Sequence, residues 1–267
     1  MIQYSYFRKV FIILLVGQLM LIGTGCRPVV DEARDRQVFR YNESANITSL
    51  DPAFARNQAN LWAVNQLYNG LVQMDDQLRV KPCIARRWTV SDSGKTYVFS
   101  LRNDVLFHDD PCFKSPEERR VSARDFVYSF NRLKDPGLAA PGSWIMQNLK
   151  LAEARDDSTL VLQLKSPFPP FLGLLSMKYA SVVPQAAIEE YGLGFRSHPV
   201  GTGPFHFKLW VENEKLVFRK NQEYFELDSA GNALPYLEAV AITFVPDKQA
   251  AFLEFIKGNL DLLSGLD

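Results

Sequence analysis

The sequence predicts a mixed α/β fold of the α+β kind, and three features carry that prediction. Apolar and polar residues alternate in paired runs, the pattern of antiparallel hairpins. A strongly amphipathic helix stands between those runs. A strand–helix–strand unit closes the chain.

Taken in order, residues 38–41 (Val-Phe-Arg-Tyr) read as a short strand. Helix signals begin at Asn57, with Leu61, Val64 and Tyr68 at helical spacing. Ser91-Asp92-Ser93-Gly94 is turn chemistry, and Gly94 is free to take positive φ. After it, Tyr97, Phe99 and Leu101 alternate with Thr96, Val98 and Ser100 as a half-buried strand. Asn103-Asp104 turns the chain, and residues 105–107 are expected to return as a second short strand. Ser122 opens a helix, and Asp125 three residues on reaches back in a capping-box spacing. Phe126, Phe130 and Leu133 then share one helix face. Residues 151–164 form a hairpin that turns at Asp156-Asp157. Residues 181–184 read as a buried strand entering a helix, with Pro184 in its first turn. Residues 205–209 and 216–218 form another hairpin across Glu212-Asn213-Glu214. In the closing unit, Val240, Ile242 and Phe244 make a strand and Asp247 caps a helix that Gly258 stops. Residues 260–263 are the return strand, with a right-handed crossover as the default.

The 267 residues carry 30 basic and 30 acidic side chains, a balance that gives no electrostatic footprint for nucleic acid. Apolar residues make up 47% of the chain, enough for a sizeable core and for one or two domains. Arg8 and Lys9 precede an apolar run over 10–22, too short to span a membrane and shaped like a signal peptide. Gly23-Thr24-Gly25-Cys26 follows and resembles the lipobox of bacterial lipoproteins, although glycine stands at position 23 where leucine is usual. That resemblance implies cleavage after residue 25, lipidation of Cys26 and attachment to a membrane, since each buried acyl CH₂ contributes about 0.8 kcal/mol. Residues 26–37 read as a patternless tether.

The longest motif, residues 91–136, contains TYVFSLRNDVLFHDD and then VSARDFVYSFNRLKDP. It resembles the signature region of solute-binding family 5, the oligopeptide and dipeptide binding proteins of bacterial ABC importers. Ser93 stands where the family often has aspartate, Asp110 replaces a glycine, and residues 111–120 are an insertion. Further matches in order are ITSLDP (47–52), LYNGLVQMDD (67–76), PCIARRW (82–88), FPPFL (168–172) and PVGTGPF (199–205). Gly201 and Gly203 in the last of these would let two stretches of backbone pass closely. The glycine spacing does not fit a phosphate-binding loop.

The resemblance implies a periplasmic-binding-protein-like type II fold. It would comprise the first lobe plus the family's extra hairpin-rich domain, with the second lobe absent from this chain. On that reading residues 38–65 and 179–267 belong to the first lobe, and 66–178 to the inserted domain. It also implies a non-enzymatic protein without cofactors outside the cytoplasmic membrane. Such a protein captures a peptide or other small solute and delivers it to an ABC permease and its ATPase subunits. Matched residue by residue, family contacts after the S-L-D-P motif fall on Arg56, Asn57 and Gln58, and a further contact falls near Trp144. Asn57 reads equally as a helix N-cap, and Trp144 as lobe packing.

Other constellations are less specific. His108-Asp109-Asp110 lacks the second ligand spacing of a metal site and reads as a strand-end carboxylate cluster. Cys83 and Cys112 would close a loop if they paired outside the cytoplasm. A surface hydrolase or sugar-capturing lipoprotein would need a nucleophile or carboxylate pair with supporting context, and none stands out. A one-walled remnant that binds weakly is the other alternative.

Overall fold

The computed structural model describes residues 37–265. The expected signal peptide, the lipidation site at Cys26 and the tether as far as residue 36 lie outside the described residues. Strand β1 (Val38–Asn42) leads through the Asp51 turn to helix α1 (Gln58–Leu67). Strands β2 (Val72–Met74) and β3 (Val80–Pro82) form a small hairpin, and β4 (Ala85–Ser91) with β5 (Thr96–Leu101) a longer one. Helix α2 (Ala123–Lys134) is followed by β6 (Leu149–Ala154), β7 (Thr159–Leu164) and the short helices α3 (Phe171–Leu175) and α4 (Gln185–Tyr191). The chain then runs through β8 (Phe205–Val211), β9 (Lys215–Lys220), β10 (Ala239–Thr243) and helix α5 (Lys248–Ile256).

Two four-stranded sheets organise these elements. One has the order β1-β10-β9-β8, with β1 and β10 parallel and the other pairs antiparallel. The other, β4-β5-β7-β6, is wholly antiparallel. The first draws its strands from 38–42 and 205–243, and the second from 85–164. A single apolar core runs under both, from Phe99, Phe126 and Phe130 to Phe218 and Ile242. Strand β5 buries Tyr97, Phe99 and Leu101 and leaves the alternate residues half-buried, as its period of two requires. The α2 cap forms as expected: the Asp125 carboxylate accepts from the Ser122 backbone N–H and from its hydroxyl, each at 2.8 Å.

Three local expectations are corrected. Residues 105–107 do not make a strand beside β5, because β4 and β7 already occupy both of its edges. They pair instead with residues 119–121, through a single bridge at Leu106 and Arg120. Residues 181–184 are buried but irregular. The Val182 N–H donates to the Asn69 carbonyl and that of Val183 to the Ser129 hydroxyl, so no ladder is needed. The return segment 260–263 touches β1 at one parallel bridge, Tyr41 to Leu262, where the Asp261 carboxylate takes the Arg40 N–H at 2.7 Å. Cys83 and Cys112, a pairing the sequence left open, stand as free thiols among the described residues. Burial foremost pushes each thiol up to about 12, with Asp110 adding to the effect at Cys112. Among the described residues, no helix is long and apolar enough to cross a membrane.

The Pro199–Phe205 segment shows why glycine is needed there. A Cβ on Gly201 or Gly203 would overlap the backbone of Gln66 and Leu67 at the end of α1. His108 holds this crossing in place. Its ring Nδ1 accepts the Gly201 N–H at 3.3 Å and its Nε2 donates to the Gly203 carbonyl at 3.0 Å. Its own backbone N–H donates to Gly201 at 2.7 Å. Only the neutral ring can make both side-chain bonds. Burial, with help from His206 and Arg119, lowers the His108 pKa to about 4.

Candidate functional site

The larger of two clefts is built on the turn that follows β1. Asp51 caps the short helical turn Pro52–Phe54 by accepting the Ala53 N–H at 3.0 Å, while the Ser49 hydroxyl accepts the Asp51 N–H at 3.1 Å. Thr48 and Asn60 lock the turn to α1 reciprocally. The Thr48 N–H donates to the Asn60 carboxamide oxygen at 3.2 Å, and the Asn60 amide donates to the Thr48 hydroxyl at 3.1 Å. Asn57 caps α1 by accepting the Asn60 N–H at 2.8 Å.

Arg132 of α2 reaches across and grips Asp51 with both guanidinium arms, at 3.1 and 2.6 Å. Asp51 is buried, 5% exposed, and Arg132 largely so at 13%. Burial works against the Arg132 charge, yet the Asp51 carboxylate holds its pKa above the usual value. The Arg132 guanidinium also lies 5.8 Å over the Phe195 ring. This pair ties the turn of the β1 sheet to the helix that covers the other sheet. Tyr68 is fully buried, and its hydroxyl has no hydrogen-bond partner among the described residues. Burial, and behind it Asp51, pushes its pKa far above the usual range.

Between these elements opens a cleft of about 1010 Å³, at the upper end of the range for small-solute sites. Its polar lining is Thr48, Ser49, Asp51, Arg56, Asn57, Asn60, Tyr128, Arg132, Asp135 and Arg196. Its apolar walls are Phe54, Leu138, Pro141, Ile188 and Leu193, and Leu193 stands 94% exposed. A second cleft, of about 380 Å³, sits at the carboxyl ends of β1 and β10 and is lined by Asn42, Ser44, Val245 and the exposed Phe252 and Leu253.

Of the four residues marked from the sequence, the larger cleft brings together Arg56 and Asn57. Gln58 opens α1 and is exposed away from the lining, and Trp144 is 46% exposed and also outside it. Trp144 belongs to the helical turn Pro141–Met146, which contributes Pro141 to the wall instead. The neighbouring Gly142 is packed against the Tyr179 ring with no space for a Cβ. Sequence reasoning missed Tyr128 and Arg132. Their spacing of four places them on one stripe of α2, next to the apolar face that was counted, and a polar i,i+4 pair beside a buried face was the available signal.

The comparisons agree with this architecture. Residues 79–267 match the family described as bacterial extracellular solute-binding proteins, family 5 Middle. The glutathione-binding protein GsiB of Escherichia coli O1:K1 is 29% identical over 212 residues, covering 79% of this chain and 39% of GsiB. The periplasmic binding protein DppA of Helicobacter pylori, solved with the peptide STSA, superposes with a TM-score of 0.76 at 28% identity, covering 88% of this chain and 48% of DppA. Haemophilus influenzae OppA, solved with the peptide RPPGFSPFR, gives a TM-score of 0.74 at 25% identity, covering 87% of this chain and 47% of OppA. The mixed α/β fold is therefore that of the type II periplasmic binding proteins, matched over part of their length. The chain spans about two fifths of the length of the curated relatives it matches, and just under half of these solved chains. With most of its length matched, the chain belongs to family 5 of the bacterial extracellular solute-binding proteins.

Proposed function

We propose that this chain provides one wall of a solute-capturing cleft in the binding component of an ABC importer, outside the cytoplasmic membrane. The observation that carries the reading is the cleft of about 1010 Å³, whose floor is pinned by the Asp51–Arg132 pair and whose apolar rim stands open. The ligands named for the relatives, glutathione for GsiB and short peptides for DppA and OppA, point to peptides or peptide-sized solutes. A second wall closing over the rim would cover Leu193 and trap the solute by domain motion. Lipidation at Cys26 would keep the protein at the membrane beside its permease. Its task is capture without chemical change.

Calorimetric titration of the 267-residue chain with glutathione and with tripeptides tests this. Saturable binding with the solute recovered intact is the expected outcome. Hydrolysis of the solute, or no heat with any member of the panel, would count against capture.

A further inference from the structure

We infer that this cleft receives a carboxylate group of the captured solute on the Arg56 side chain. The inference deepens the solute-capture reading and rests on it. It follows from asking which polar groups of the lining are still free once the protein's own bonds are made. Arg132 is held by Asp51, and Arg196 donates to Glu212 at 2.9 Å. Thr48 and Asn60 bond each other, and the Asn57 carboxamide oxygen is taken by the helix cap. Asp135, across the lining, already accepts the Gly137 N–H at 2.9 Å. The groups left over include the Arg56 guanidinium, the Asn57 amide N–H₂ and the Tyr128 hydroxyl, which have no side-chain hydrogen bond or ion pair among the described residues, and Arg56 is the one cation among them.

All three can donate, and the guanidinium can only donate. Its two parallel N–H groups match the two oxygens of a carboxylate. The lining thus offers donors that no internal bond among the described residues occupies, beside apolar walls of Phe54, Leu138 and Leu193, with the Asp135 carboxylate, exposed and partly engaged by Gly137, as a remaining acceptor. A solute with an acceptor-rich anionic end and an apolar body satisfies both features. Arg56 is exposed on the short stretch between the Pro52–Phe54 turn and α1, so its charge costs little to keep until the solute arrives.

The test uses three probes of one size: triglycine with a free carboxylate, triglycine amide, and the amide of Gly-Glu-Gly. The third distinguishes a side-chain carboxylate from a terminal one. Nuclear magnetic resonance shift titrations of the 267-residue chain read weak binding directly, to about 10 mM solute. Amidation of triglycine is expected to weaken binding about tenfold, on the scale of a partly desolvated charge pair. The Arg56→Gln variant is expected to bind acid and amide alike, and Arg56→Lys to recover part of the difference. Arg56 is exposed, so an unchanged spectrum away from the cleft confirms that each variant is folded.

Equal binding of acid and amide by the natural chain would overturn the carboxylate assignment and leave solute capture standing. A preference for the acid that survives in Arg56→Gln would also overturn it. Restored binding with Gly-Glu-Gly amide would place the recognised carboxylate on the side chain. No shift with any probe would remove the capture reading, and this inference with it.

Discussion

Asp51 and Arg132 form the site's most consequential residue pair, because among the described residues neither charge has another ion-pair partner. Removing one member leaves a buried charge, which costs about 3–5 kcal/mol, whereas removing both together costs far less. Urea unfolding of Asp51→Asn, Arg132→Met and the double variant is expected to show two large single losses and a double loss well below their sum. Additive losses would mean that the pair is not coupled. The sequence marked Asp51 through its motif but not Arg132. A side chain that leaves one element to serve another has no local spacing that announces its partner.

His108 belongs to the same scale. The unfolded ring titrates near 6.5 and the folded one near 4, so between these values the unfolded chain binds more protons. Its contribution, of order 3 kcal/mol, is therefore complete above pH 6.5 and lost as the pH falls towards 4. The difference in unfolding free energy between the natural chain and His108→Asn is expected to shrink over that window. A difference independent of pH would show that the neutral ring is not what holds Gly201 and Gly203. From the sequence this residue read as part of a carboxylate cluster. Its partners lie 93 and 95 residues away, beyond any local pattern.

At the scale of elements, short-range chemistry was legible and long-range pairing was not. The β5 alternation, the Ser122–Asp125 box and the apolar α2 face each depend on residues within one or two turns, and each formed. The strand assignment for 105–107 failed because its neighbours were unknown: β7, more than fifty residues later, had taken the edge of β5. The close approach implied by Gly201 and Gly203 was legible because so little else explains two such glycines. Gly201→Ala must displace the Leu67 backbone and is expected to lose over about 3 kcal/mol, whereas Gly194→Ala, whose Cβ would meet the His198 ring at an ordinary contact distance of 3.9 Å, should lose about 1 kcal/mol or less. Equal losses at the two sites would contradict the tight crossing.

Asn57 serves two elements at once, and two substitutions separate its roles. Asn57→Ala is expected to lose about 1 kcal/mol of stability with the cap. Asn57→Asp keeps the capping oxygen but replaces the free amide donor with negative charge, so it should stay stable and bind anionic solutes less well. Retained affinity in that variant would leave Asn57 as a cap alone.

For the whole molecule, the family resemblance and the mixed α/β fold agree with the comparisons, and the physical reading adds what joins the parts. The two sheets share one core, and the contacts that bridge them, Asp51 to Arg132 and His108 to Gly201 and Gly203, connect segments roughly eighty to a hundred residues apart. The candidate site lies at one of these joints. Its residues come from the turn after β1, from α2 and from the α4 region, so no continuous stretch of sequence displays it. That is why Arg56 and Asn57 were legible through a motif, while Tyr128, Leu138 and Arg196 were not. The cleft at the ends of β1 and β10 is the rival location, smaller and lined by apolar residues of α5.

The two locations are separated most directly by photo-crosslinking a diazirine-bearing tripeptide to the 267-residue chain and mapping the adducts by mass spectrometry. Adducts are expected on residues 48–60 and 135–141, suppressed by excess unlabelled tripeptide and weakened in Arg56→Gln. Adducts confined to residues 245–265, or insensitive to competitor, would contradict solute capture in the larger cleft.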